Sequence, residues 1–496
     1  MKIRVFLFMA LYAIVSKAQI ANISEMASGS MELFSPILES DNSVYGYFSL
    51  YKLERINKEE ERFEYVFLDK NLNKVANGEF IEQDYKGFDS KFYYPEKVGK
   101  NIIISRLYID KNYYNRDLVF VTNRLLNLST NEISESFYYE DNEFIEGSRQ
   151  HKKLKSIIKK IKTFEYPLAF EEGFFLVEKV KSDHKALKNV NSLRAFDITK
   201  KSKWEYEYNP NSEKLHYSIS LLDKECIVIT TVNAKTYSRT LHFVNPESGE
   251  LMFTYELENK KSEYSHQYDI EILDNEIVIV GKFCPYNKYE GYQAEDARGM
   301  YKIVLSKKGE ELFKKYTNWT DLPSDVIQIN KKGKMLEDGY KLYARQFFVF
   351  EDGSISILTE KYKDSKYYVL FNSTPKSTDF VILNFDKDFN LVSKEVIEKD
   401  KNNWGNSDYL YSQKIKNGKG VVFFYRDYKT DKESKEKNWV LGIVSIIDSK
   451  MTHEQIPMSS EDHFIAPYMA KEGYILLREF NKDKDYDQIR LERLNY

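Results

Sequence analysis

The chain repeats itself. Leu222 to Ile229 and Leu273 to Val280 superpose with an offset of 51 residues and no gap, each a polar turn followed by an apolar run. Residues 264–315 hold the clearest copy of the unit: four short strands, two tight turns and one long loop. That is the makeup of a propeller blade, in which a four-stranded antiparallel sheet buries its faces only against its neighbours.

The first-to-second-strand turn recurs at Asn42-Ser43, Gly99-Lys100, Glu172-Gly173, Asp352-Gly353, Asn417-Gly418 and Glu472-Gly473, which with the two above makes eight copies. A second signal, apolar strand, then a turn of Asp, Asn, Lys or Gly, then another strand, follows seven of them; examples are Leu68-Asp69-Lys70-Asn71 and Phe385-Asp386-Lys387-Asp388. The eighth unit stops at Tyr496 on its third strand. Residues 20–27 have no local partner, so they are expected to complete it as its outer strand, closing the ring and removing a sheet edge. The reading is all-β: a β-propeller of eight four-stranded blades at roughly 30–82, 85–140, 165–209, 214–258, 264–316, 341–399, 408–458 and 463–496. Seven blades is the alternative if a weak unit, the second first of all, pairs irregularly.

Residues 1–18 stand apart. Lys2 and Arg4 precede the apolar run Val5 to Val15, and Ser16-Lys17-Ala18 supplies small residues where a signal peptidase reads, so cleavage before Gln19 is expected. The run is short of the ~20 residues a bilayer span needs, and no later stretch is apolar enough to span. The expected product is one propeller domain, 19–496, exported to the periplasm, the cell surface or beyond. Its signal takes three of the 74 basic groups and none of the 77 acids, leaving a net charge of −6. That mild acidity excludes nucleic acid as the main partner, because phosphate binding needs a basic footprint.

Cys226 and Cys284 are the only cysteines. The repeat places them about seven residues apart along equivalent strands of adjacent blades, an offset of roughly 23 Å at ~3.3 Å per residue. A disulfide needs Cα atoms within ~7 Å, so two free thiols are expected. Ser148 to Thr163 interrupts the strands, with Leu154, Ile157, Ile158 and Ile161 at helical spacing among six lysines. It reads as a helical insertion docking its stripe on the ring, or as a basic amphipathic helix for an acidic surface.

Strand order assigns the working face. In an antiparallel blade the turns between strands one and two and between three and four leave at one end, and all other connections at the other. The long ones, 83–91, 141–164, 183–191, 285–298, 317–340, 362–378, 400–407 and 427–438, all fall in the second class, and long loops on a rigid scaffold carry function. Trp319, Trp404 and Trp439 lie in or beside these loops, as do Tyr286, Tyr289, Tyr292 and Tyr428. Such aromatics either stack on a ligand or pin the loops to the ring.

Chemical motifs are sparse. The seven histidines are scattered, with His242 and His266 the pair that adjacent blades could bring together, and no zinc spacing, phosphate loop or nucleophile elbow occurs. Asn384 to Asn390 and Asn481 to Asp487 alternate oxygen ligands but lack the glycine and the later acid of a calcium loop, so they read as hairpin turns. No cofactor and no metal are expected. Glu295, Asp296, Asp321 and Asp325 are the carboxylates to inspect for glycoside chemistry.

On its blades the chain resembles the exported bacterial β-propeller proteins of uncharacterised families. The resemblance is architectural: the Asp-box of sialidases, the docking motif of quinoprotein propellers and the Trp-Asp ending of WD repeats are absent, so no active residues carry over. The leading expectation is a non-catalytic binding or scaffold protein holding a peptide, protein or glycan on the long-loop face, with Trp319, Trp404, Trp439, Tyr289, Tyr292, Asp296 and Asp321 as ligand contacts. The alternative is a polysaccharide hydrolase or lyase using the same face.

Overall fold

The middle strands of each unit are apolar on both sides of the chain, and the outer strands alternate. Glu276–Pro285 and Gly299–Ser306 are buried almost throughout, whereas Glu311–Asn318 alternates between exposed and half-buried positions. A strand buried on both faces needs sheets packed above and below it, so these sequences specify stacked blades. The structure, a computed structural model, describes residues 19–23, 25–111, 118–140, 143–148, 163–180, 192–210, 215–259, 261–285, 297–363, 376–402, 407–415, 418, 420–430, 437–447, 450–458, 463–481 and 486–495. Among them the strands form seven four-stranded antiparallel sheets and one irregular sheet of seven short strands. The expected signal segment 1–18 and all but the ends of the expected helix 148–163 lie outside the described residues.

The four-stranded sheets span 30–83, 163–207, 215–258, 264–318, 341–397, 409–457 and 464–493. The last is completed by Gln19–Asn22, which pairs antiparallel with the C-terminal strand from Gln19 opposite Leu491 to Asn22 opposite Gln488. Ile23, just beyond, is 1% exposed and donates its N–H to the Asp487 carbonyl. The N-terminal strand therefore sits where the truncated eighth unit required it.

The irregular sheet is the second unit, 88–146. Phe88–Phe92 and Glu96–Val98 both pair with Asn101–Asp110, as two pieces of one first strand. Pro95 lies between them and can donate no ladder hydrogen bond. Strand Leu118–Asn127 then meets two short segments, Glu132–Ile133 and Phe137–Glu140, instead of one full outer strand, and Glu143–Glu146 pairs with the second of them. This gives seven regular blades and one irregular sheet.

Five blades share a turn that the sequence marks only by its first residue. Asp69, Asp197, Asn245, Ser306 and Asp386 each accept backbone N–H groups through a side-chain oxygen, and a residue with positive φ follows three or four places later: Leu72, Lys200, Gly249, Gly309 and Phe389. A register shift precedes each turn, as at Phe67/Leu68 and Val304/Leu305. A left-handed residue closing such a turn produces this bulge. Gly249 is required twice over, because at φ +73° a Cβ would also lie 2.5 Å from the Trp204 ring.

Contacts group the chain into two compact units, residues 1–172 with 458–496 and residues 173–457. In the first, Tyr47, Tyr51, Val66, Ile489 and Leu491 share one core, and Phe48, Phe63, Phe67, Ile102 and Leu126 another. In the second, three further clusters repeat the arrangement between consecutive sheets. Both cysteines are buried and outside any disulfide, and burial pushes the Cys226 thiol up to about 12, so it is unreactive.

Candidate functional site

Among the buried charge clusters are two at the long-connection ends of their sheets, one in each unit. The first begins with Arg106, in the run Ile102-Ile103-Ile104-Ser105-Arg106-Leu107-Tyr108. Strand alternation sends its side chain inward, where it is 3% exposed. Its guanidinium is packed among rings, with Cζ 5.2 Å from the Phe63 centroid, 5.3 Å from Phe92 and 5.4 Å from Tyr108. Arg106 Nη2 donates to Glu61 Oε2 at 2.6 Å and to Ser90 Oγ at 2.7 Å.

Glu61 is itself buried and gathers three cations. Lys52 Nζ donates to Oε1 at 2.7 Å, and Arg55 Nη2 stands 3.8 Å away while also pairing with Asp84. Burial works against the Glu61 charge, but the hydrogen bonds and charges of Lys52 and Arg106 outweigh it and hold the carboxyl below its usual range.

These side chains line a cavity of about 250 Å³, with Glu32, Phe63, Phe88, Asp89, Phe92 and Lys111 completing the wall. The connection 83–91, singled out as long on the sequence, supplies Asp84, Phe88, Asp89 and Ser90. At the exposed lip Lys111 pairs with Asp89 at 3.1 Å, and Glu32 enters no ion pair among the described residues. Two of Arg106's donor atoms, Nε and Nη1, are buried and make no hydrogen bond. Leaving such donors unmet costs roughly 1–3 kcal/mol each.

The second network is centred on a lysine. Lys399 Nζ, fully buried, lies 2.6 Å from Asp408 Oδ2 and 3.2 Å from Glu360 Oε1. Arg345 Nη2 contacts Glu360 Oε2 at 2.6 Å, Ser407 Oγ donates to the same oxygen at 3.1 Å, and Asn402 donates to Asp408. Nearby Asp427 is 6% exposed; burial raises its carboxyl to about 6, and its Oδ1 accepts the N–H groups of Tyr428 and Asp400 at 2.8 and 3.0 Å. Lys282 in the same unit is buried with no hydrogen bond to Nζ, 4.4 Å from the Tyr343 centroid. Burial and then the Arg345 charge depress its amine to about 8.

The residues expected to contact a ligand fare differently. Tyr289, Tyr292, Asp296 and Trp404 lie outside the described residues, as does Glu295. Trp319 is 3% exposed, its Nε1 donates to the Ala297 carbonyl at 2.6 Å, and it packs with Leu322, Ile327, Ile329 and Met335. It supplies the core that holds the 319–340 connection and borders a small cavity with Lys341, Tyr343 and Tyr362. Trp439 is half-buried and meets Tyr428 edge to face at 5.7 Å. Asp321 is exposed and accepts from Asn318 Nδ2 at 2.6 Å, stabilising the short 3-10 turn it ends. His242 bonds Tyr206 and Thr231, and His266 bonds Tyr316 and approaches Glu258, so the two share no partner. Among the described residues no three His, Cys, Asp or Glu side chains converge as metal ligands, and no helix is long and apolar enough to cross a membrane. Asn384–Asn390 is a hairpin turn in which Asp386 accepts from Asn390.

Sequence reasoning singled out the connection 83–91 but passed over Arg106, Glu61 and Lys52. Their signal was present: an arginine at an inward position of an otherwise apolar strand must bring its own partner with it.

No curated protein is similar in sequence. Solved structures are similar at low level. A europium-containing methanol dehydrogenase is 9% identical, with 96% of this chain and 93% of that one covered and a TM-score of 0.39. The β-propeller domain of the Trilobed protease from Pyrococcus furiosus is 13% identical over 83% and 97%, TM-score 0.34. The polysaccharide lyase Uly1 is 8% identical over 96% and 91%, TM-score 0.36. Likeness at this level says nothing of activity. Residues 1–495 match one sequence family, and the chain accordingly belongs to the family of unknown function DUF6770.

Proposed function

We propose that this is an exported, non-catalytic binding protein that holds its ligand at the long-connection end of its blades, in the pocket around Arg106. The observation that carries the reading is the pairing of a 250 Å³ cavity with buried guanidinium donors that have no acceptor. Glu61, the buried carboxylate of that pocket, is held ionised by Lys52 and Arg106. A carboxylate locked in that state orients partners well and serves poorly as a proton donor at neutral pH. Peptides, protein termini and glycans are the ligand classes the face accommodates.

A second reading, a polysaccharide hydrolase or lyase, draws on Asp427, whose carboxyl is raised to about 6. Its Oδ1 is already committed to two backbone N–H groups, which favours a structural part for it.

The test is a peptide and glycan array probed with residues 19–496 and with Ser90→Trp, which fills the cavity without deleting a buried charge. Binding lost in the filled variant supports the pocket; binding indifferent to it removes the reading. Release of reducing or unsaturated sugar from any arrayed glycan would install the enzyme instead.

A further inference from the structure

The cavity beside Glu61 presents polar atoms almost throughout. Three phenylalanines belong to its wall, but Phe63 and Phe88 are buried behind it, and Phe92 meets Phe63 edge to face at 4.9 Å and carries the Arg106 guanidinium. Little ring surface is left for stacking a sugar or holding an apolar side chain. Recognition therefore falls to the groups that reach the cavity: Lys52, Arg55 and Lys111, with side chains 36%, 47% and 52% exposed, and the carboxylates Glu32, Asp84 and Asp89.

Charge in this wall is dense and matched. Four cations, Lys52, Arg55, Arg106 and Lys111, stand against four carboxylates, Glu32, Glu61, Asp84 and Asp89, so the lining as a whole is neutral. Most of these groups are already paired: Lys52 with Glu61 at 2.7 Å, Arg106 with Glu61 at 2.6 Å, Arg55 with Asp84, and Lys111 with Asp89 at 3.1 Å. A charged ligand would have to take one member of such a pair from its partner, leaving a charge unanswered, and a neutral wall gives it no net attraction. A hydroxyl is different. It donates one proton and accepts through two lone pairs, so it can bond to the carboxylate and the cation of one pair at once without parting them. Hydrogen bonds to charged partners are also the stronger kind.

We infer that the cavity binds a neutral polyhydroxylated ligand, a single sugar unit or an alditol, held by its hydroxyls across the Arg55–Asp84 and Lys111–Asp89 pairs. This rests on the reading of the pocket as a binding site and selects the glycan class among those the face accommodates. At about 250 Å³ the cavity lies below the ~300–1,000 Å³ that takes a drug-sized molecule, so it admits one ring rather than a chain. Glu32, exposed and outside any ion pair among the described residues, adds an acceptor at the mouth.

The experiment is calorimetric titration of residues 19–496 with glucose, galactose, mannose, sorbitol and myo-inositol, and with glucuronate, glucosamine and L-phenylalanine as charged comparators. At least one neutral probe should bind, at least tenfold more tightly than any charged one. Its affinity should change less than twofold between about 50 and about 500 mM sodium chloride, because the ligand carries no charge for salt to screen. Ser90→Trp should abolish the binding, and Lys111→Met, an exposed change at the lip, should weaken it severalfold with thermal unfolding unchanged. A charged comparator that binds most tightly, or a neutral probe indifferent to both variants, overturns the inference. If no neutral probe binds, the polyol is wrong, and the binding pocket stands only if the array yields a ligand that Ser90→Trp abolishes. Silence in both experiments removes both.

Discussion

The two buried networks use the same residue types to opposite ends. Around Lys399 the cation is held by Glu360 and Asp408, Arg345 and Ser407 share Glu360 Oε2, and Asn402 joins Lys399 on Asp408 Oδ2, while Glu360 Oε1 has the Lys399 charge but no hydrogen bond. Around Arg106 the Glu61 carboxylate meets more than one cation, two buried guanidinium nitrogens have no acceptor, and the cluster borders a cavity of about 250 Å³. A buried cation held between two carboxylates ties elements of a fold together; a buried cluster that borders a cavity has room beside it for a partner. The contrast separates the structural from the functional site more sharply than any count of charges.

The largest effect should come from the Lys399 network. Lys399→Met leaves Glu360 and Asp408 buried without their cation, and breaking such a pair costs roughly 3–5 kcal/mol. Urea unfolding should show that loss, and a loss below about 1 kcal/mol would mean that water already reaches the site. Arg106→Met should cost less, about 2 kcal/mol, because Lys52 still neutralises Glu61 and only the charged hydrogen bonds are lost. A cost equal to that of Lys399→Met would erase the distinction between the two networks.

Lys282 sharpens the comparison through pH. Its folded amine sits near 8 and its unfolded value near 10.5, so the unfolded chain binds more protons between those limits and stability rises with pH across that window. Below pH 8 the cost of the buried charge is fully present. Lys282→Met should therefore stabilise the protein by about 2 kcal/mol at pH 7, the gain fading toward pH 10.5. Unfolding midpoints at the two pH values decide it, and a gain that does not change with pH would point to packing instead.

The smallest effect concerns the turns. Lys200 holds φ +68° without the packing that secures Phe389, which is fully buried and stacked 4.5 Å from Phe385. Lys200→Gly should stabilise by about 0.5–1 kcal/mol, and the same change at Phe389 should destabilise, by the core side chain it removes.

The blades were legible because each carries its pattern locally: continuous apolar middle strands, alternating outer strands, and turns opened by Asp, Asn or Ser. The closing strand was legible because 464–493 lacked a fourth strand and 19–22 lacked a neighbour. The shared bulge was not, since Leu72, Lys200 and Phe389 adopt positive φ with side chains that ordinarily avoid it. Trp319 misled for a related reason: a tryptophan in a long connection can face a ligand or found a small core, and only the burial of Leu322, Ile327 and Met335 around it decides. Arg106 was missed because exposed aromatics were sought, while the pocket is built from charge inside apolar strands.

The most direct test of the contrast between the two networks is hydrogen–deuterium exchange of residues 19–496 with and without the tightest ligand from the arrays. Protection confined to segments 52–61, 84–92 and 104–111, with 338–408 unchanged, is the result expected. Protection within 338–408 and none around Arg106 would contradict the account, because the network described as structural would then be the one that binds.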